Sequence, residues 1–163
     1  MPKFRINRPV AATPEQMYDV VCDVERYPEF LPMCEDLKVL SRQPTEDGVD
    51  VLVATMSVGY KSIQESFTTR VSMRKSANRI LVEYLDGPFR YLENRWEFVA
   101  QPDGGCMIEF FIDYEFRSPM LGLLVGTMFD KAFRKFAEAF ETRAYEIYGD
   151  PTLQTVPKGS LSS

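Results

Sequence analysis

Residues 119–148, PMLGLLVGTMFDKAFRKFAEAFETRAYEIY, are the one long helical signal in the chain, and the segments before them read as partners for their apolar side. Projected at about 100° per residue, Val125, Phe129, Ala132, Phe136, Ala139, Phe140 and Ile147 share one stripe, while Asp130, Lys131, Arg134, Glu138, Glu141 and Thr142 fall opposite. Pro119 suits a first helical turn, where its missing N–H has no intrahelical partner to lose, and Gly149 with Pro151 supplies the stop. At about 1.5 Å per residue, one continuous helix here would run roughly 45 Å.

The first two turns break the pattern. Met120, Leu123 and Leu124 project onto the otherwise polar side, which they share with Lys131, Arg134 and Lys135, and Gly122 and Gly126 stand among them. An apolar tip followed by a basic belt is the order expected of a helix that touches an anionic membrane surface. A loop folded over the tip, or a ligand entrance, fits the same residues. Asp130/Arg134 and Arg134/Glu138 are also ordinary i, i+4 pairs of a solvated face.

Ahead of this helix the period is two. Strands are expected at 36–41, 49–58, 63–74, 79–85, 90–101 and 106–117, each bounded by turn residues. In the last, Cys106, Ile108, Phe110, Ile112, Tyr114 and Phe116 face one way and Glu109, Asp113, Glu115 and Arg117 the other, so one face is buried and one is wet. An odd connection at Asp103-Gly104-Gly105 lets the apolar faces of the last two strands coincide, which sets Trp96 opposite Ile112 and Asn94 opposite Tyr114. Similar parity joins Phe67, Thr69, Val71 and Met73 to Ile80, Val82 and Tyr84 across the loop 75–78, with Gly87-Pro88-Phe89 as the next tight loop. Residues 49–58 are apolar in both phases, so their inner face stays unassigned.

The chain opens with a short strand at 4–10. Thr13, Pro14 and Gln16 then read as a capped helix start, with Met17, Val20, Val21 and Val24 as its buried face until Tyr27-Pro28. A second short turn at 29–34 carries Phe30, Leu31 and Met33. The order of elements predicts an α+β fold, a curved antiparallel sheet gripping a long C-terminal helix, with two short helices after the first strand. Residues 1–149 are read as one domain and 150–163, which lose all periodicity, as a disordered tail.

Composition narrows the function. With 163 residues, 45% of them apolar, one sizeable core is expected. A net charge of −5 argues against DNA or bulk phosphate as partner. The absence of histidine removes the commonest general base and metal ligand, so no catalytic or metal site is assigned. Cys22, Cys34 and Cys106 lack a ligand spacing and read as buried free thiols of a reducing compartment. No apolar run resembles a signal peptide or a membrane span. A cytoplasmic location is expected, at most peripheral to the inner membrane.

Two stretches carry a family resemblance: 23–32, DVERYPEFLP, and 87–98, GPFRYLENRWEF. Together with the order of elements over residues 1–149, they closely resemble the coenzyme Q-binding branch of the START-domain, polyketide cyclase/dehydrase-like superfamily, which also contains the ribosome association toxins. The resemblance implies a START/Bet v 1-like helix-grip fold around a lipid-binding tunnel. It further implies a non-enzymatic role in binding ubiquinone, as ligand rather than cofactor, for respiration or quinone biosynthesis. The alternatives it carries are association with the large ribosomal subunit and, third, aromatase or cyclase chemistry.

Within that picture Tyr27, Phe30 and Leu31 form either a lid or a plug of the core, and Phe89 lines the mouth or packs in its turn. Phe67, Leu92, Trp96, Phe110, Val125, Phe129 and Phe136 are most simply core residues, of the same types that wall a cavity. Polar residues in phase with the buried face say more, because a desolvated donor needs a partner. Asn94, Tyr84 and Tyr114 could donate to the oxygens of a quinone head, or Asn94 and Tyr114 could bond each other. An inward Glu65 would be the base of a cyclase-like site.

Overall fold

The computed structural model describes residues 3–45, 47–60 and 62–150. Seven antiparallel strands form one sheet in the order β1-β7-β6-β5-β4-β3-β2: β1 Lys3–Val10, β2 Cys34–Pro44, β3 Val49–Tyr60, β4 Ile63–Arg74, β5 Arg79–Asp86, β6 Phe89–Ala100 and β7 Cys106–Phe116. Three helices lie against its inner face: α1 Pro14–Cys22, α2 Pro119–Arg134 and α3 Phe136–Tyr148. The predicted α+β helix-grip architecture is the one observed, and the tail expected at 150–163 lies, beyond Asp150, outside the described residues.

Local chemistry sets the ends of α1. The Gln16 N–H donates to Thr13 Oγ1 at 3.1 Å while the Thr13 N–H donates to Gln16 Oε1 at 3.0 Å, a complete capping box with Pro14 in the first turn. The helix stops earlier than its apolar spacing implies. It ends at Cys22, and Val24–Glu29 continue as a 3-10 segment that contains Tyr27 and Pro28. The turn expected at 29–34 is present at residues 30–33, between the 3-10 segment and Cys34, which opens β2.

Strand parity came out as expected, and one register did not. Met73 pairs with Ile80, Val71 with Val82 and Thr69 with Tyr84. Between β6 and β7, however, Trp96 faces Phe110, Asn94 faces Ile112 and Leu92 faces Tyr114, a slip of two residues from the predicted pairing. The turn is longer than three residues: the Gln101 N–H donates to Gly105 O and the Gly104 N–H to Gln101 O, both at 3.0 Å. Pro102 has no N–H for a ladder, which draws Gln101 and Pro102 into the turn. β3 turns Leu52, Ala54 and Val58 inward, settling the face left open by the sequence.

The outer face carries alternating arginines and carboxylates, such as Arg79–Glu97 at 3.3 Å and Arg90–Glu115 at 3.0 Å. Phe111 departs from the wet pattern. It stands on this face yet is buried, because Arg5 and Arg95 stack on its ring at 4.9 and 4.8 Å.

The single 45 Å helix is corrected to two. At Lys135 the N–H donates back three residues, to Ala132 O at 3.0 Å, before the ladder resumes with Ala139 N–H to Lys135 O. Neither proline nor glycine marks this break. Phe133, absent from the predicted stripe, is buried on α2, and Phe136 packs on it edge to face at 5.2 Å. Ile147, predicted to be buried, is 51% exposed.

Candidate functional site

Between the sheet and the helices lies an apolar cavity of about 70 Å³. The 3-10 segment and α1 contribute Val21, Val24, Tyr27 and the adjacent Leu31; the strands contribute Met56, Phe67, Val71, Ile80, Leu92 and Trp96; the helical arm contributes Phe133, Phe136 and Phe140. Its polar wall residues are Thr69 and Asn94, both buried. A second void of about 10 Å³ lies under the first half of α2, lined by Met33, Val58, Ile63, Glu65, Val125 and Phe129.

The structure thus divides the predicted site residues. Tyr27, Leu31, Phe67, Leu92, Asn94, Trp96 and Phe136 line the main cavity, and Val125 and Phe129 line the smaller one. Of the two readings of Phe89, mouth or packed turn residue, the structure has the packed one: it is a fully buried hub whose ring meets those of Phe67, Tyr84, Tyr114, Phe116 and Phe129. Gly87 permits this by bringing the chain against Phe67 at φ 142°, where an added Cβ would lie 2.6 Å from that side chain. Phe110 is core, tilted against Phe4 and edge to face with Trp96. Phe30 is off the cavity wall and packs on Tyr27 and Phe140. Sequence reading missed Phe133, Thr69 and Met56; Phe133 lies eight residues after Val125, on the same helical stripe, and was legible there.

The polar groups are not arranged as expected. Asn94 and Tyr114 do not bond each other. Asn94 Nδ2 donates to the Phe111 carbonyl at 2.9 Å, and Asn94 Oδ1 accepts from Trp96 Nε1 at 2.8 Å, so the amide fixes the indole against the cavity. Tyr84 uses its hydroxyl to accept the Phe89 N–H at 3.1 Å. The Tyr27 hydroxyl donates to the Val21 carbonyl, which ties the 3-10 segment to α1.

Tyr114 is different. Its side chain is fully buried and its hydroxyl has no hydrogen-bond partner among the described residues. Leaving such a donor unmade costs about 1–3 kcal/mol. Burial pushes its phenol well up, with the Asp130 carboxylate adding and the Arg134 guanidinium opposing, so the group stays neutral and able to donate. Burial likewise pushes the thiols of Cys22 and Cys106 up to about 12 and Cys34 to about 11, which keeps them protonated at neutral pH.

The expected membrane-contact residues are at the surface. Met120, Leu123 and Leu124 are 70%, 87% and 63% exposed. Lys131, Arg134 and Lys135 are exposed further along the arm, with Arg134 paired to Asp130 at 2.9 Å and stacked on Phe4 at 4.1 Å. No helix among the described residues is long and apolar enough to cross a membrane.

A sheet curled over a helical arm, with an apolar cavity between them, defines the START/Bet v 1-like helix-grip class. A START superfamily protein from Mycobacterium smegmatis shares this fold at TM-score 0.72 and 23% identity, over 89% of this chain and 98% of that one. The chain belongs to the polyketide cyclase/dehydrase and lipid transport family, whose model matches residues 10–141. It is 34% identical over 148 residues to the ribosome association toxin RatA of Escherichia coli K12, covering 91% of this chain and 90% of that protein. It is 33% identical over 140 residues to the coenzyme Q-binding protein COQ10 homolog B of Xenopus laevis, covering 83% of this chain and 54% of that protein. The solution structure of an 18 kDa Caulobacter crescentus protein superposes at TM-score 0.73 with 32% identity, over 91% and 99% of the two chains.

Proposed function

We propose that this protein is a non-enzymatic carrier that holds ubiquinone, or an isoprenoid precursor of it, in the cavity between sheet and helices. The observation that carries this reading is the cavity wall, apolar apart from Thr69 and Asn94, with the Asn94 amide already committed to Phe111 and Trp96. Such a wall binds by burial rather than by proton transfer. The similarity to a protein named for coenzyme Q binding supports the choice of lipid.

Size adds a requirement. An apolar cavity of about 150 Å³ accepts benzene, and small-molecule sites occupy roughly 300–1,000 Å³. At about 70 Å³ the resting cavity is closed to a quinone ring, so uptake goes with an outward movement of part of its wall. The first half of α2, which borders the smaller void through Val125 and leads into the cavity residue Phe133, is the segment we assign to that movement, and its exposed Met120, Leu123 and Leu124 are the surface we assign to transient contact with an anionic membrane, where the lipid is taken up and returned.

Native mass spectrometry of freshly purified protein, paired with organic extraction and ultraviolet detection of quinones, tests the reading. A stoichiometric quinone is expected. An empty protein that also refuses added ubiquinone would overturn it.

A second reading, association with the large ribosomal subunit, is favoured by the 34% identity to a ribosome association toxin over nearly the whole chain. The net charge of −5 opposes it. Co-sedimentation with large subunits at low salt, where phosphate contacts are strongest, decides it.

A further inference from the structure

We infer that the Tyr114 hydroxyl is the polar anchor of the ligand site, donating a hydrogen bond to a carbonyl or ether oxygen on a planar head group once α2 moves away from it. The inference rests on the carrier reading and adds the end of the site at which the ligand's polar head sits.

Position carries the first part. Tyr114 lies directly opposite Leu92 on the neighbouring strand and packs on the ring of Phe133 at 5.0 Å, and both neighbours line the main cavity. Phe133 in turn meets Phe129 at 5.8 Å, and Phe129 lines the smaller void. The two α2 phenylalanines therefore stand between the voids, with Tyr114 next to their junction. Displacing α2 joins the voids into one space and uncovers the hydroxyl within it.

Chemistry carries the second part. The hydroxyl is buried, unpartnered and neutral, and the nearby Asp130 is engaged with Arg134. A neutral phenol of this kind serves as a donor, so the ligand group that completes it is an acceptor oxygen. Its surroundings are ring edges and faces: Phe89 and Phe116 meet Tyr114 at 90° and 88°, with centroids at 5.9 and 5.8 Å. Such a pocket suits a flat head. A purely hydrocarbon ligand would leave the hydroxyl as it is in the resting fold.

The test uses Tyr114→Phe in the full chain, which keeps the ring and removes only the oxygen. Trp96 is the single tryptophan and stands on the cavity wall, so quenching of its emission reports quinone uptake directly. The probes are ubiquinone-2 and, by displacement of it, the isoprenoid hydrocarbon farnesene. The expected result has three parts: thermal stability of the empty variant equal to or above that of the unsubstituted protein, ubiquinone-2 affinity lower by roughly 3- to 10-fold, and farnesene affinity unchanged. A variant that melts earlier would show that the hydroxyl already has a partner and would overturn the anchor. Equal loss for both probes, or no loss for ubiquinone-2, would also overturn it while leaving the carrier reading in place. An unsubstituted protein that takes up neither probe removes both.

Discussion

The two helices of the C-terminal arm come from one continuous amphipathic signal, yet they are held in opposite ways. α3 is clamped: Phe140 meets Tyr27 at 5.1 Å, Phe30 at 5.3 Å and Trp96 at 5.2 Å. Arg143 reaches Glu29 at 2.6 Å and stacks on Phe30, and Glu141 holds Arg8 at 2.7 Å and the Tyr145 hydroxyl. The first half of α2 has none of this. From Pro119 to Thr127 it buries Val125 and packs a half-buried Leu121 on the core, it carries no charge, and it contains two glycines. At Gly126 an added Cβ would meet nothing within 4 Å, and at Gly122 it would meet only ordinary contact with Phe116. Packing does not demand these glycines. Each weakens the helix by about 0.5–1 kcal/mol relative to alanine. The contrast teaches that the α3 wall of the cavity is fixed, while the half of α2 beside the smaller void is held by far fewer side-chain contacts, as segments that open locally are.

The largest effect should come from breaking the fixed side. Phe140→Ala removes the ring shared by the 3-10 segment, α3 and the indole, and an unfolding free energy lower by about 3–5 kcal/mol is expected in denaturant titrations. Serine at Met120, Leu123 and Leu124 together should change that free energy by no more than about 0.5 kcal/mol, because all three are exposed. It should nevertheless abolish flotation with anionic vesicles, since each side chain contributes at most about 1.5–3 kcal/mol of burial in lipid. Retained flotation would remove the tip from the membrane reading.

Gly126→Ala sharpens the contrast from the other direction. It should stabilise the protein by about 0.5–1 kcal/mol and slow quinone uptake in stopped-flow quenching of Trp96, with amide exchange across 119–128 slowed toward that of α3. Faster uptake would mean that this half of α2 is not the moving wall. The smallest effect concerns the clamp itself. Hydrogen bonds from Arg26 and Arg143 hold the Glu29 carboxyl below the ordinary glutamate value of 4.5. Its contribution to stability is therefore present above pH 4.5 and is lost as the pH falls through the lowered value. Glu29→Gln should lower stability slightly at neutral pH and converge with the unsubstituted protein as the pH falls through the lowered value, which flattens the acid limb of the stability curve.

Much of this was legible in the sequence, for reasons that differ by residue. Pleating puts successive side chains on opposite faces, so the inner faces of β4 to β7 followed from alternation alone. The capping box at Thr13 is a contact between near neighbours and could be read outright. Register is another matter, because it depends on how many residues the turn takes. Pro102 was the available sign that the 101–105 turn takes five. β3 escaped assignment because Val49, Val51 and Val53 lie on the outer face in the opposite phase to Leu52 and Ala54. The split at Lys135 has no local marker, and the isolation of the Tyr114 hydroxyl arises only from the assembled aromatic shell.

The pairing of β1 with β7 has one more consequence, which concerns time. Lys3 lies opposite Asp113, so β1 leaves the ribosome roughly 110 residues before its partner. At synthesis rates of about 5–20 residues per second it waits on the order of 5–20 s, and α3, which covers the inner face, arrives later still. During that interval the β2 to β6 meander presents its apolar side uncovered. The apolar face of the nascent chain is therefore most open to misassociation at the stage when the sheet is nearly complete and the arm that seals it is still being translated.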